Sequence, residues 1–145
     1  MSADVFVDSN IFLYAAAPDD SKMHRAEALL ASLHASHTLA VSPQVIAEVF
    51  VNVERVYGTP AAFERITALR NSAELQPLDS VTTDATLRIK NRYGFSYWDA
   101  QVLAAAHAAG ATLLLTEDLQ DGQVIEGVTV VDPFREGFDL SSLKR

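Results

Sequence analysis

Cysteine is absent from the 145 residues. Disulfides, thiolate metal sites and cysteine nucleophiles are therefore excluded, and a reducing cytoplasm is the expected compartment. Long apolar runs are missing too: none approaches the roughly 18 residues that a bilayer span needs. The opening Met1-Ser2-Ala3-Asp4 has no basic segment and its apolar stretch ends at Asp8, so no secretory signal is expected. Positive charge is scarce, with 11 Lys and Arg against 19 Asp and Glu and a net charge of −8. That balance argues against broad, charge-driven binding to a polyanion. It leaves open an acidic pocket in which metal ions neutralise carboxylates and phosphate together. No His-Glu-x-x-His pair, phosphate-binding glycine loop or dinucleotide fingerprint is present. His24, His34, His37 and His107 share no metal-like spacing.

What is present is a core. Apolar residues make up 49% of the chain, and its length suits one domain over residues 1–145. Residues 4–8 read as a short buried strand, followed by a helix over 10–16 that stops near Pro18-Asp19-Asp20. An amphipathic helix over 22–33 aligns Ala26, Leu29, Leu30 and Leu33, and 38–41 is a second strand. Ser42-Pro43 is a helix start. Its helix turns Val45, Ile46, Val49, Phe50, Val53, Val56 and Tyr57 inward and ends at Gly58. Thr59-Pro60 opens another helix, to about Ser72, and residues 75–78 suit a third strand. Asp79 or Ser80 caps a helix to Tyr93, stopped by Gly94. Ser96 caps the next, which runs to Ala109. Residues 112–115 and Val128–Val131 are the last strands, and a loop with a short helix follows Asp132. Alternating strands and helices predict an α/β fold with a mostly parallel sheet covered on both faces. Function in such sheets gathers beyond the carboxyl ends of the strands.

Four acids fall at that edge. Asp8 closes the first strand in Val5-Phe6-Val7-Asp8-Ser9-Asn10, where it also suits a helix N-cap. Asp99 has the spacing of a capping box with Ser96. It also falls on the arc of Trp98, Val102, Leu103, Ala105, Ala106 and Ala109, the face expected to be buried, where an ionised group needs a partner. Glu48 lies with Gln44, Asn52 and Arg55, the pattern of a solvated helix face. Asp118 opens Glu117-Asp118-Leu119-Gln120-Asp121-Gly122, which serves as an acidic turn as well as a ligand source. Which of Glu117, Asp118 and Asp121 points inward is open at this level; Asp118, two residues past the strand, is the first choice. Thr116 is placed to orient water through its hydroxyl. Oxygen ligands without cysteine suit Mg²⁺ or Mn²⁺, and paired ions of that kind activate water against phosphodiesters.

In order, Val7-Asp8-Ser9-Asn10, the helical Glu48, Tyr97-Trp98-Asp99-Ala100 and Leu115-Thr116-Glu117-Asp118-Leu119-Gln120-Asp121-Gly122 resemble the motifs of the PIN domain, in particular the VapC-type toxin ribonucleases of toxin–antitoxin modules. Val131-Asp132-Pro133-Phe134 resembles the usual strand exit, with aspartate where asparagine is common. The resemblance spans nearly the whole chain. It implies a three-layer α/β/α sandwich with a sheet of roughly five strands. It implies metal-dependent cleavage of single-stranded or loop RNA by metal-activated water. Asp8, Glu48, Asp99 and Asp118 become the catalytic and Mg²⁺- or Mn²⁺-binding quartet, with Asp121 a possible outer carboxylate and Asn10 and Thr116 supporting polar residues. It further implies a homodimer, held silent by a cognate antitoxin.

An acidic RNA-binding protein needs contacts. Arg88, Lys90 and Arg92 form the densest basic stretch, and Lys22 and Arg25 are a second candidate pair. Two other functions compete. A phosphoacceptor or phosphatase-like domain needs paired acids after the first strand, where Asp8-Ser9-Asn10 has one, and a receiver needs a late lysine, absent from the last third before Lys144. A catalytically silent binding module of the same fold would keep the architecture and bind no metal.

Overall fold

The computed structural model describes residues 3–17 and 21–143. In chain order these form β1 (Val5–Val7), α1 (Ser9–Ala16), α2 (Ser21–Ser36), β2 (Leu39–Val41), α3 (Pro43–Tyr57), α4 (Thr59–Ser72), β3 (Ala73–Leu75), α5 (Ser80–Tyr93), α6 (Tyr97–Ala108), β4 (Leu113–Leu115), β5 (Val124–Ile125) and β6 (Val128–Val131). A 3₁₀ turn over Leu140–Leu143 follows. The predicted stop at Pro18-Asp19-Asp20 and Lys144 lie outside the described residues. Among those described, no helix is long and apolar enough to cross a membrane.

The sheet order is β3-β2-β1-β4-β6-β5, parallel throughout except for the β5–β6 pair. The chain builds outward from β1 to β3, then returns to lay β4 against the other side of β1. The order thus reverses between β1 and β4, and at such a switch point the flanking connections diverge and leave a crevice at the carboxyl edge. β1 and β2 are buried at every position because helices cover both faces. Helix α6 lies against β2, β4 and β6, while α1 packs on α2 and α3, and α3 on α4. Phe6, Ile11, Leu29, Leu33, Leu103 and Leu114 are among the large side chains wholly enclosed.

Local signals explain the helix limits. The Ser42 hydroxyl accepts the Val45 N–H, with Pro43 in the first turn of α3. Asp79, not Ser80, caps α5, through a reciprocal box with Thr82. Gly94 takes the left-handed conformation that ends α5.

The structure corrects several sequence expectations. The sheet has six strands rather than about five. Val124–Ile125 pairs antiparallel with β6 through a turn in which Glu126 and Gly127 both have positive φ. Two residues carry no alternating pattern, and Glu-Gly is not the Asn-Gly or Asp-Gly that marks such turns. The third strand is Ala73–Leu75 rather than 75–78: the Gln76 N–H makes a bond to the Val41 carbonyl, and Pro77 then has no donor to continue. Val56 and Tyr57 are exposed, because the last turn of α3 outruns the core. Trp98 is 63% exposed rather than buried. It sits in the first turn of α6, where Cα–Cβ bonds tilt toward the N-terminus and carry the side chain past the packed part of the helix.

Candidate active site

Asp8 leaves β1 at the switch point and caps α1. One carboxylate oxygen accepts the Ser9 N–H at 2.8 Å and the other accepts the Thr116 hydroxyl at 2.9 Å. Thr116 follows β4, the strand paired with β1, so adjacent strand ends bring the two together. Its side chain is fully buried, and its hydroxyl oxygen also accepts the Asn10 amide and the Asp118 N–H, each at 3.1 Å. Asn10 Nδ2 further reaches Asp118 Oδ2 at 3.2 Å. One buried hydroxyl thus ties both acid-bearing strand ends into one network.

Glu48 joins from the side. Ser9 donates to one of its oxygens at 2.8 Å, and Gln44, one turn earlier on α3, donates to the other at 2.9 Å. Gln44 and Glu48, expected on a solvated helix face, are therefore half-buried at the crevice, while Arg55 further along that face is exposed. Ser9 and Gln44 were missed as site residues. The i,i+4 spacing of Gln44 and Glu48 was the available signal; nothing local marks Ser9.

Asp99 lies half-buried at the start of α6. Its backbone N–H donates to the Ser96 hydroxyl at 3.1 Å, but no bond returns from its carboxylate to the Ser96 backbone. Half a capping box is formed, and among the described residues the carboxylate has no hydrogen-bond partner. Capping therefore does not account for an acid at this position.

The electrostatics are dominated by burial, with neighbouring carboxylates adding to it. Burial pushes the Asp8 carboxyl up to about 6; the Ser9 and Thr116 bonds oppose the rise, and the charges of Asp118 and Glu48 add to it. Asp118 is raised as well, first by burial, with Asp99, Glu117 and Glu48 contributing and Asn10 opposing. Asn10 Oδ1 and Gln44 Oε1 are buried without a donor. Among the described residues, no three acidic or histidine side chains converge closely enough to enclose an ion. The fit to a hard cation is therefore one of donor type: an all-oxygen set, mutually repelling, with orphaned carbonyl oxygens beside it.

The PIN domain family model matches residues 5–120. The chain belongs to the PIN-domain family. Among curated proteins no sequence matches it. Solved structures share its fold at low identity. The sarcin–ricin-loop-cleaving toxin VapC20 of Mycobacterium tuberculosis is 19% identical, with a TM-score of 0.64 over 77% of this chain and 87% of that one. A toxin–antitoxin complex from Klebsiella pneumoniae is 20% identical, with a TM-score of 0.69 over 90% and 98%. The DNA-bound VapBC of Salmonella typhimurium is 14% identical, with a TM-score of 0.68 over 90% and 98%.

The remaining predicted residues of this PIN domain fall into two groups. Lys22 lies beside the crevice, 3.1 Å from Glu117, which also accepts the Tyr14 hydroxyl. Arg25 donates to the Pro133 carbonyl at 3.3 Å. Asp121 is turned to the chain's own end: it accepts the Asp132 N–H at 2.8 Å and pairs with Arg135 at 2.9 Å. Arg88 and Arg92 close on Glu126, at 2.9 and 3.9 Å. That residue precedes β6, at the amino edge of the sheet, so the structure does not bring these arginines to the carboxylates. Lys90 bonds the Phe95 carbonyl at 3.1 Å.

Proposed function

We propose that this PIN domain is a metal-dependent endoribonuclease that cuts single-stranded or looped RNA with water as the nucleophile, and that it is the toxin of a toxin–antitoxin pair. The observation that carries this reading is Asp8: a buried carboxyl raised to about 6, crowded by Glu48 and Asp118 at the switch point of a parallel sheet. Membership of the PIN family supports the nuclease. Likeness of fold to toxin–antitoxin complexes supports the cognate antitoxin. A homodimer in a reducing cytoplasm belongs to the same reading.

Asp8, Asp99 and Asp118 would hold Mg²⁺ or Mn²⁺, with Glu48 completing the set. Bound there, a divalent cation would supply positive charge against the phosphate and lower the pKa of water. The chain's own residues do the positioning. Thr116 keeps Asp8 ionised by donating to it, Asn10 steers Asp118, and Ser9 with Gln44 fixes both oxygens of Glu48. Asp121, paired with Arg135, would serve at most as an outer carboxylate. Lys22, with Arg25 one helical turn away, offers phosphate contacts near the crevice; Arg88, Lys90 and Arg92 are weaker candidates because of their internal bonds.

The test is incubation with mixed RNA in Mg²⁺, Mn²⁺ or EDTA, followed by mapping of the cut ends. Cleavage that EDTA stops, leaving 5′-phosphates, is expected. Full activity in EDTA would remove the metal from the mechanism, and ends carrying 2′,3′-cyclic phosphate would make the RNA's own hydroxyl the nucleophile; either result overturns the reading.

A further inference from the structure

We propose that Trp98 is a stacking platform for an unpaired RNA base at the rim of the acidic crevice. The inference rests on the ribonuclease reading above and adds the means by which an acidic protein grips its substrate.

Trp98 is 63% exposed, an unusual place for the largest apolar side chain. It is also firmly presented. Ser96 caps the helix start, and the Tyr97 ring meets the indole at 5.6 Å and 84°. The next residue is Asp99, close enough to Asp118 for its charge to act on that carboxyl. The first turn of α6 thus carries both an open aromatic face and, one residue on, an acid whose charge acts on Asp118 at the carboxyl edge of the sheet.

Charge explains why such a face is needed. The net charge is −8, and Lys22, Arg88, Arg92 and Arg135 are already paired with carboxylates. Affinity from phosphate neutralisation is therefore limited. Stacking needs no net charge and tolerates any base, since every base offers a π-face. A base held on Trp98 would bring its strand to the helix turn that carries Asp99.

Trp98 is the sole tryptophan, so its emission reports the contact directly. A short unstructured RNA of mixed sequence, added in EDTA and again in Ca²⁺, is expected to quench it saturably. An abasic oligomer of the same length is expected to leave it unchanged. W98A should raise KM by roughly 5- to 150-fold, the range for losing one base stack, with kcat nearly kept. W98F should retain most of the affinity. Cleavage of RNA by a protein whose tryptophan emission never changes would overturn the proposal, as would an unchanged KM in W98A. So would blue-shifted emission in the free protein with loss of dimer mass in W98A, which would place the indole in a subunit interface. If the unaltered chain neither binds nor cuts RNA, the ribonuclease reading fails, and the platform with it.

Discussion

The Thr116 hydroxyl lies 2.9 Å from Asp8 Oδ2, joining residues 108 apart in sequence. It donates to Asp8 while accepting from Asn10 and from the Asp118 backbone, so it fixes both acids with one proton.

Thr116→Val keeps the shape and removes that bond. Asp8 then loses one of two contacts that hold its carboxyl down, and its pKa rises above about 6. In the metal-free protein the Asp8 carboxyl should then titrate at higher pH than in the unaltered chain, as followed by NMR. Stripping buried partners should also cost about 1–3 kcal/mol. Thr116→Ser should restore both. An unmoved Asp8 titration in the metal-free variant would show that the hydroxyl does not tune it.

Asp8 is also a stability liability. Its carboxyl ordinarily titrates near 3.8 and here near 6, so the folded state binds the proton more tightly than the unfolded chain. Below about pH 4 both states are protonated and no penalty exists; it grows as pH rises toward 6 and is complete above. The rise corresponds to on the order of 3 kcal/mol at neutral pH. Asp8→Asn removes the charge but keeps only one of the two acceptors, which takes back about 1 kcal/mol. The variant should therefore unfold later than the unaltered protein in urea at pH 7.5, by about 1–2 kcal/mol, with the gain gone at pH 4. A constant difference across pH would refute the burial penalty.

The helix starts were legible because capping is local. Ser42-Pro43 and Ser96 carry their instructions within four residues; Thr59 does not cap α4, which starts after Gly58 with no side-chain cap and with Pro60 in its first turn. Asp8 and Asp99 were legible as site candidates because strand ends and helix periodicity place them without tertiary knowledge. Glu48 entered chiefly through the resemblance: its helical face looks solvated, and in the fold it is Ser9, from a different element, that ties it to the crevice. Trp98 misled for a related reason. A helical wheel treats every turn as equally covered, whereas the first turn of α6 projects beyond its cover.

Asp99 offers a test of function separate from folding. Its carboxylate has no hydrogen-bond partner among the described residues, so Asp99→Asn should shift stability by no more than about 0.5 kcal/mol. It should still abolish RNA cleavage and weaken Mn²⁺ binding by at least about tenfold. Calorimetric titration and thermal melts on the same preparation separate these effects. Unfolding of the variant would assign Asp99 a structural role; retained cleavage would remove it from the site.

The acidic turn after β4 holds two aspartates with different contacts. Asp118 receives the Asn10 amide within the crevice and is raised by its acidic neighbours. Asp121 instead binds the Asp132 N–H and Arg135, fastening the segment after β6. Asp121→Ala should therefore cost about 1 kcal/mol, since an exposed ion pair adds little beyond the lost backbone bond. Mn²⁺ affinity should stay within about twofold. Asp118→Ala should do the reverse, leaving stability near or above that of the unaltered protein because a repelling charge is gone, while Mn²⁺ binding and cleavage collapse. The two losses arise in different interactions, so Arg135→Ala, which removes only the exposed ion pair, should cost less stability than Asp121→Ala and leave cleavage intact. If Asp121→Ala instead loses Mn²⁺ while Arg135→Ala does not, the outer carboxylate turns inward in the loaded protein and belongs to the metal set after all.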